Sequence, residues 1–249
     1  MLMSRMETIA SLIPRDCDGI LDVGCGDGRI TNNLAPYCRN NVIGLEINWR
    51  RVQYVKEPKV IGTAAYLPFR DKSIDLLLVA ETLEHLPCDV YQSALHEIER
   101  VARRFILVVV PYNEDIPRAL IVCPYCGCHF HPSWHLRSYS EGSLAHLFDN
   151  FVLHAISRGE EVAIHTYPHI MLRIAGALDL LPRRQWPRAA MCPQCNYHLP
   201  DTDKAMPSST SHTHRSLLHS LISVVARPFS LKRKGWGHLA AMYYQGIGS

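Results

Sequence analysis

The first half of the chain alternates between apolar runs and stretches in which apolar residues recur at helical spacing. The apolar runs predict strands at 19–24, 41–46, 59–62, 74–80 and 104–110. The helical patterns precede and separate these runs, and predict helices at 2–13, 28–36, 48–55 and 90–102. This repetition predicts a doubly wound α/β fold, in which helices cover both faces of a mostly parallel sheet.

The second half has a less regular pattern. The elements predicted there are a helix at 140–149 that Ser138 or Ser140 would cap, a strand at 151–157, and apolar helices at 168–181 and 215–226. The stretch 200–214 is rich in Pro, Ser, Thr and Asp, a composition that favours an irregular segment.

A glycine-rich turn follows the first predicted strand. The segment Ile20–Thr31 reads ILDVGCGDGRIT, and its three glycines permit positive φ and a close approach of a ligand to the main chain. The helix predicted after the turn would present its amino end to that ligand. The second strand ends on Glu46, about 20 residues further on, where a carboxylate can accept hydrogen bonds from both ribose hydroxyls. The pattern predicts an adenosine-containing ligand that need not carry phosphate.

Two further blocks extend this pattern, Ala65–Asp75 (AYLPFRDKSID) and Ala80–Leu86 (AETLEHL). All three blocks occur in order within residues 17–110, and in them the chain resembles the class I S-adenosylmethionine-dependent methyltransferases, in particular their small-molecule branch. The resemblance implies a Rossmann-like fold with a seven-stranded sheet. It also implies that one further antiparallel strand closes the sheet, for which 238–244 is the best candidate.

The resemblance also indicates how the cofactor S-adenosylmethionine would be bound. Asp22 and the backbone of the turn would hold the methionine portion, Glu46 the ribose, and the residues near Ala64 and Glu81 the adenine side and the cofactor rim. Family members usually carry an acid where this chain has Thr63, whose hydroxyl brings no charge. The expected cofactor-binding residues are Asp22, Gly24, Cys25, Gly26, Glu46, Ile47, Thr63, Ala64 and Glu81.

His85, just beyond the fourth predicted strand, is the candidate catalytic base. A sulfonium methyl group is already electrophilic, so a base helps only oxygen or nitrogen nucleophiles that begin protonated. His85 could instead shape the pocket wall, and Glu81 and Glu84 could orient the substrate. The segment from His135 to Ser140 resembles the opening of the substrate-side helix in these enzymes, so His135 or Arg137 is expected to face the substrate.

Two C-P-x-C pairs have the spacing of zinc knuckles. Four thiolates form a closed tetrahedral site for structural Zn²⁺, with Cys123, Cys126, Cys192 and Cys195 as the expected ligands. Cys128, His129, His131 and His135 lie close enough in sequence to replace one of them, and free buried thiols are the other alternative.

The predicted organisation is one S-adenosylmethionine-binding domain, 1–157 plus 236–249, with a large insertion. The insertion, 158–235, is basic and helical, and together with 120–135 would form a zinc-stapled lid or subdomain. Residues 158–238 hold 11 Lys and Arg against 5 Asp and Glu, including Arg183, Arg184, Arg188, Lys232, Arg233 and Lys234. Such clusters could attract an anionic substrate, a nucleic acid or a membrane surface, or be a solvated basic face.

The cysteines and the apolar runs also predict the compartment. Nine cysteines at mostly scattered positions fit reduced thiols with a metal better than disulfides. The sequence has neither an apolar run of about 18 residues, as a membrane span requires, nor a cleavable apolar core near Met1. These features predict a cytoplasmic protein.

Three functions fit these observations. The first is methyl transfer to an oxygen, nitrogen or carbon nucleophile of a small or carrier-attached acceptor, because Glu81–Leu86 lacks the Asn- or Asp-Pro-Pro-aromatic motif of enzymes that methylate nucleobase amines or protein glutamine. The second is RNA methylation, with the zinc-containing basic insertion holding the phosphate backbone; nucleic acid is possible as a partner but not favoured. The third is a non-catalytic, zinc-stabilised binding module on a degenerate methyltransferase fold.

Overall fold

The computed structural model describes residues 4–159, 161–166, 190–198 and 231–246. The chain divides into two compact units. The first comprises Met1–Arg118, Trp134–Glu161 and Trp236–Ser249, and the second comprises Ala119–Ser133 and Val162–Gly235. Within the described residues, no helix has the length and apolar character that crossing a bilayer requires.

The described residues contain eleven strands and five α-helices. The strands are β1 (Ile20–Val23), β2 (Val42–Glu46), β3 (Lys59–Ile61), β4 (Ile74–Ala80), β5 (Ala102–Pro111), β6 (Ile121–Val122), β7 (His129–Phe130), β8 (Phe151–Arg158), β9 (Glu161–Thr166), β10 (Leu231–Trp236) and β11 (His238–Gln245). The helices are α1 (Arg5–Leu12), α2 (Trp49–Val52), α3 (Cys88–Val101), α4 (Ile116–Ala119) and α5 (Glu141–Ala145).

A seven-stranded sheet with the order β3-β2-β1-β4-β5-β11-β8 forms the centre of the first unit. The first five strands of this order run parallel to one another, and β11 is antiparallel to both β5 and β8. The central strands β4 and β5 contain continuous apolar runs because both faces of the sheet are covered there. Leu76 to Val79 of β4 and Ile106 to Val110 of β5 are completely buried. The predicted seven-stranded, mostly parallel fold is confirmed.

The prediction of a helix at 28–36 is wrong. Two short 3₁₀ turns, Thr31–Asn33 and Ala35–Tyr37, occupy this segment. Pro36 has no backbone N–H to donate, and the side-chain amide of Asn33 donates to the carbonyl of Arg29 at 2.9 Å, which competes with helical hydrogen bonding. The glycine-rich turn is therefore not followed by a helix whose amino end could face a ligand.

Two other predicted helices are shorter than their apolar patterns. The helix predicted at 48–55 is α2, with the Asn48 side chain as its N-cap. The helix predicted at 140–149 is α5, and its N-cap is Ser140, whose hydroxyl accepts from the backbone N–H of Ser143 at 3.2 Å. Leu147 and Phe148 still pack on the core although they lie beyond the end of α5, because tertiary contacts rather than helical continuity bury them.

Arg100, in the last turn of α3, fixes the irregular segment that follows β3. Its guanidinium donates to the carbonyls of Leu67 and Phe69 at 3.0 and 2.9 Å, and to the carboxylates of Asp71 and Glu97 at 2.6 Å. Glu97 also accepts from the backbone N–H of Leu67 at 2.7 Å. Hydrogen bonds from Arg100 hold the pKa of Glu97 below its usual range. The residues between β3 and β4 are thus held against α3.

The second unit contains two small antiparallel pairings. Strands β6 and β7 pair through Ile121 with Phe130 and Val122 with His129, and β9 pairs with β10. Several sequence predictions lie outside the described residues: the helices at 168–181 and 215–226, the stretch 200–214, and the basic residues Arg183, Arg184 and Arg188.

Candidate functional site

The turn after β1 has the backbone conformation that its glycines permit. Gly24, Gly26 and Gly28 have φ angles of 79°, 57° and 80°, a region that favours glycine. The backbone N–H groups of Gly24 and Cys25 donate to the carbonyl of Leu45 at 2.8 and 3.0 Å, which joins the turn to β2. A Cβ at Gly24 would lie only 2.3 Å from the hydroxyl of Thr82. This position therefore excludes any larger residue for two independent reasons.

Glu46, the last residue of β2, is buried beside this turn. One carboxylate oxygen accepts the backbone N–H of Gly26 at 2.9 Å, and the other accepts that of Asn48 at 2.8 Å. Each carboxylate oxygen has a further lone pair, so Glu46 can still accept from two hydroxyls. The two backbone bonds fix its orientation.

Asp22, on β1, is also buried, and accepts a hydrogen bond from the Thr31 hydroxyl at 2.7 Å. Burial raises the pKa of Asp22 to about 7, with the nearby charge of Glu46 acting in the same direction and the Thr31 hydroxyl opposing it. Thus Asp22 changes its charge near neutral pH. A cationic group placed beside it would favour the ionised form.

The predicted adenine side of the site is a tight turn after β3. The hydroxyl of Thr63 accepts the backbone N–H of Ala65 at 3.3 Å, and its carbonyl accepts that of Tyr66 at 3.1 Å. Ala64 is buried, whereas the side chains of Ile47 and Tyr66 are exposed. Thr63 therefore stabilises the turn with the same hydroxyl that was expected to face the adenine.

Glu81 follows β4 and has a φ of 52°, a conformation that is uncommon for a residue with a side chain. One carboxylate oxygen lies 3.5 Å from the guanidinium of Arg5 in α1, and the other is buried without a hydrogen-bond partner among the described residues. Burial raises the pKa of Glu81, while the charges of Arg5 and His135 oppose this rise. An uncommon backbone conformation at such a carboxylate is typical of a functional position.

A second group of chemically active side chains follows Glu81. Glu84 is completely buried, whereas His85 is exposed, and the two belong to a 3₁₀ turn, Leu83–His85. The ring of His135 lies edge-on to that of His85, with 4.8 Å between the ring centroids. Nδ1 of His135 lies 2.5 Å from a carboxylate oxygen of Glu114. Burial raises the pKa of Glu84 to about 8.

The segment that carries His135 is held against this turn by its backbone and by Arg137. The N–H of Leu136 donates to the carbonyl of Glu84 at 2.8 Å. One nitrogen of Arg137 donates to the carbonyls of Leu83 and Leu86 at 2.6 Å each, and its guanidinium lies 4.0 Å from the ring centroid of Tyr91. These contacts give Arg137 a positioning role within the fold.

The four predicted zinc ligands converge within the second unit. Their sulfur atoms all lie within 4.8 Å of one another, and both the Cys123–Cys195 and the Cys126–Cys192 distances are 3.6 Å. A Zn–S bond of about 2.3 Å in tetrahedral geometry places sulfur atoms about 3.8 Å apart, which these distances match. All nine cysteines lie in described parts of the chain and none forms a disulfide. The residues present therefore fit a tetrahedral metal ion.

The two cysteine pairs have matching backbone geometry. Gly127 donates its N–H to the carbonyl of Cys123, and Asn196 donates its N–H to the carbonyl of Cys192, each at 2.9 Å. Both donors have positive φ, of 73° and 59°. Burial opposes ionisation of Cys192, but backbone N–H groups and neighbouring thiols lower its pKa to about 6. Cys128 and the histidines do not belong to this group of four among the described residues.

Sequence reasoning missed several partners of the expected residues. Thr31 binds Asp22, Arg5 pairs with Glu81, and Glu114 binds His135. A Cβ at Gly26 would also come within 2.6 Å of the guanidinium of Arg51, which therefore lies over the turn. All four are polar residues with little local sequence pattern. Each contacts a residue that is not adjacent to it in the sequence, so the sequence does not reveal the contact.

The N-terminal part of the chain is similar to known proteins. Residues 21–105 match the family model described as a methyltransferase domain. A 99-residue segment is 35% identical to an uncharacterised protein of Methanocaldococcus jannaschii, covering 39% of this chain and 41% of that protein. The matched region spans less than half the length of this relative and of two further curated relatives, one from the same organism and one from Schizosaccharomyces pombe.

Solved structures match the chain over almost its whole length. The YcgJ protein of Bacillus subtilis has a TM-score of 0.54 at 16% identity, covering 98% of both chains. A SAM-dependent methyltransferase of Methanosarcina mazei also has a TM-score of 0.54, at 14% identity, covering 96% of this chain and 97% of that one. At these identities the likeness shows the fold.

Proposed function

We propose that the chain is a methyltransferase, because residues 21–105 match the model of a methyltransferase domain and the chain has the fold of a SAM-dependent methyltransferase of solved structure. The acceptor is a small or carrier-attached molecule that is methylated on oxygen, nitrogen or carbon. Because the matched relatives are longer than the matched region, the activity is proposed from the site itself.

The observation that carries this proposal is the placement of three acidic residues at one edge of the sheet. Asp22, Glu46 and Glu81 lie on or just beyond adjacent strands β1, β2 and β4, around a turn of positive-φ glycines. Ligands of open parallel sheets bind at this edge. A ligand with a ribose, an amino group and a sulfonium centre suits these carboxylates, which supply hydroxyl acceptors and negative charge.

S-adenosylmethionine, when bound, supplies an electrophilic methyl group whose in-line transfer depends mainly on positioning. Glu46, oriented by two backbone N–H groups, would accept the ribose hydroxyls. Asp22 and the backbone from Gly24 to Gly26, including Cys25, would hold the methionine portion. Ile47, Thr63 and Ala64 would border the adenine, and Glu81 the rim of the cofactor. His85 would accept a proton from an oxygen or nitrogen acceptor.

The four-cysteine group of the second unit is proposed to hold structural Zn²⁺. This part of the proposal rests on the sulfur separations of 3.6 Å and on the two matching knuckles. Four protein ligands leave no open coordination position, so Cys123, Cys126, Cys192 and Cys195 would stabilise the fold of this unit without taking part in methyl transfer.

A calorimetric titration with S-adenosylhomocysteine tests the proposed cofactor site. The zinc-replete protein is expected to bind one equivalent, and the product of methyl transfer is then sought by mass spectrometry with phenols, amines, sugars and lipids as acceptors. Asp89→Ala, which removes an exposed acid of α3, provides a charge-matched control for the cofactor-site variants. Failure of the wild-type protein to bind S-adenosylhomocysteine would contradict the proposed function and favour the binding-module alternative.

A further inference from the structure

We propose that Glu84, His85 and His135 form a second metal site, which takes a divalent transition-metal ion with nitrogen and oxygen preference and binds a hydroxyl-bearing methyl acceptor. The role toward an acceptor rests on the methyl transfer proposed above, whereas binding of the ion does not. This site differs from the four-cysteine group in ligand chemistry, and it lies in the first unit, whereas the cysteines lie in the second.

The three side chains already have the spacing of metal ligands. One carboxylate oxygen of Glu84 and one ring nitrogen of each histidine lie within 4.8 Å of one another. Glu84 and His85 are neighbours in the 3₁₀ turn after β4, and His135 reaches them from a segment about 50 residues further along the chain. The backbone bond from Leu136 to Glu84 and the two bonds from Arg137 hold that segment in place. The geometry is therefore fixed by contacts outside the three side chains themselves.

The carboxylate of Glu84 provides an independent indication of a bound cation. Glu84 is 0% exposed, and neither of its carboxylate oxygens has a hydrogen-bond partner among the described residues. A buried carboxyl group without a partner is costly, and a protein retains one where a ligand satisfies it. A divalent ion between Glu84 and the two imidazoles would satisfy it.

Glu114 completes the arrangement around His135. Its carboxylate lies 2.5 Å from Nδ1 of His135, and because an ionised carboxylate only accepts, this nitrogen carries the hydrogen. Nε2 is then the ring nitrogen that would bind the ion. A histidine ligand whose other ring nitrogen donates to a carboxylate is the usual arrangement at metal sites, because the carboxylate fixes the tautomer and raises the basicity of the ligand.

The ligand set indicates which ions would bind and what they could do. Two imidazoles with one carboxylate suit Mn²⁺, Fe²⁺, Co²⁺ or Zn²⁺, whereas the four thiolates of the second unit select Zn²⁺. Three protein ligands leave positions open for an oxygen atom of the acceptor. With the ion bound, His85 holds the metal instead of accepting the proton, and the ion lowers the pKa of the acceptor hydroxyl in its place. Glu81, three residues before Glu84, follows β4 at the same edge of the sheet and has a buried oxygen without a partner among the described residues. An acceptor hydroxyl bound there would lie close to the proposed cofactor rim.

Binding of Mn²⁺ to protein that holds one equivalent of zinc, and so has only its thiolate site filled, tests the proposal when followed by electron paramagnetic resonance. Mn²⁺ prefers oxygen and nitrogen ligands and does not displace Zn²⁺ from thiolates. The wild-type protein should bind one equivalent, and Glu84→Gln and His135→Gln should each weaken binding by about tenfold or more. His96→Gln, which removes an exposed histidine of α3, should leave Mn²⁺ binding unchanged.

Titration with S-adenosylhomocysteine separates this proposal from the proposed function. Both variants should retain wild-type affinity for S-adenosylhomocysteine, because neither side chain is expected to contact it. If Mn²⁺ and Co²⁺ bind the wild-type protein no more tightly than the two variants, the proposal of a metal site at these residues is wrong. This conclusion holds even where the protein binds S-adenosylhomocysteine as expected. Should Glu84→Gln fail to fold, the comparison of His135→Gln with His96→Gln decides the outcome.

Discussion

The backbone N–H of Gly26 donates a hydrogen bond to a carboxylate oxygen of Glu46 at 2.9 Å. This bond joins the turn after β1 to the end of β2, at the edge where the proposed cofactor would lie. The shape of the turn and the direction of the carboxylate therefore depend on each other. A change at either residue should affect both the local conformation and ligand binding.

Replacement of Glu46 with Gln should weaken S-adenosylhomocysteine binding by about 10- to 100-fold, because a hydrogen bond to a charged group contributes about 1.5–3 kcal/mol. The amide keeps the shape of the side chain but loses one acceptor and the negative charge. Calorimetric titration measures this loss, with Asp89→Ala as the charge-matched control. Equal affinities for Glu46→Gln and the wild type would show that Glu46 does not bind the ribose.

The elevated pKa of Asp22 predicts a pH-dependent effect of Asp22→Asn on stability. A carboxyl group whose pKa rises from 3.8 to about 7 on folding destabilises the folded state increasingly as pH rises through this interval. At pH 8 the Asn variant should therefore be more stable than the wild type by about 2–4 kcal/mol, and at pH 4 by less than about 1 kcal/mol. Urea unfolding at the two pH values measures the difference.

The Asn side chain can still accept from the Thr31 hydroxyl, so the neutral hydrogen bond is retained in this comparison. The same variant should bind S-adenosylhomocysteine more weakly, since the amide cannot carry the charge that would face an amino group. A gain in stability that is equal at pH 4 and pH 8 would exclude the burial of a charge as its cause.

Cys126→Ser should remove the metal from the second unit, whereas Cys128→Ser should not. Both residues lie in the same short segment, but only Cys126 belongs to the group of four sulfur atoms. Elemental analysis by mass spectrometry should find equal amounts of zinc in the wild type and in Cys128→Ser, and one equivalent less in Cys126→Ser. Loss of zinc from the Cys128 variant instead would mean that the ligand set is different.

Arg100→Met should lower the free energy of unfolding by about 2–4 kcal/mol, because two carbonyls lose their donor and Glu97 loses its charge partner. The loss of Arg100 should also raise the pKa of Glu97, which Arg100 holds low. The free energy of unfolding of Arg100→Lys should lie between those of Arg100→Met and the wild type, because an ammonium group cannot reproduce the planar set of donors of a guanidinium.

Arg29→Met provides the matched control for this prediction. Arg29 has a side chain that is 88% exposed and pairs with Asp27. Its replacement should change stability by less than about 0.5 kcal/mol. If urea unfolding shows similar losses in the free energy of unfolding for Arg29→Met and Arg100→Met, Arg100 does not hold the segment between β3 and β4 in place.

The strands were predictable because burial on both faces requires continuous apolar runs. The bounds of β4 (Ile74–Ala80) agree with the apolar run from which they were predicted. The helix at 28–36 could not be excluded by periodicity, because its failure depends on Pro36 and on the bond from Asn33 to a backbone carbonyl. Side-chain competition of this kind leaves no trace in the spacing of apolar residues.

The candidate site was predictable where its residues follow strands and unpredictable where they meet across long distances in the chain. Asp22 and Glu46 belong to short blocks whose geometry parallel strands dictate. His135, in contrast, meets Glu84 and Glu114 only because its segment folds back onto the turn after β4. The contact depends on the backbone bond from Leu136 and the position of Arg137, neither of which has a sequence signature.

The position of β11 has a consequence for the order in which the molecule is made. β11 lies between β5 and β8 in the sheet, but it follows β5 by roughly 125 residues and β8 by roughly 80 residues in the chain. Contacts between residues so far apart in sequence, at separations on the order of 100 residues, form slowly. During synthesis, β5 and β8 therefore emerge from the ribosome long before the strand that pairs with both. Until residues 238–245 are available, each has an unpaired edge, and exposed edges favour association with other chains. A nascent chain of this protein is therefore vulnerable to aggregation during the translation of residues 159–237, between the completion of β8 and the start of β11.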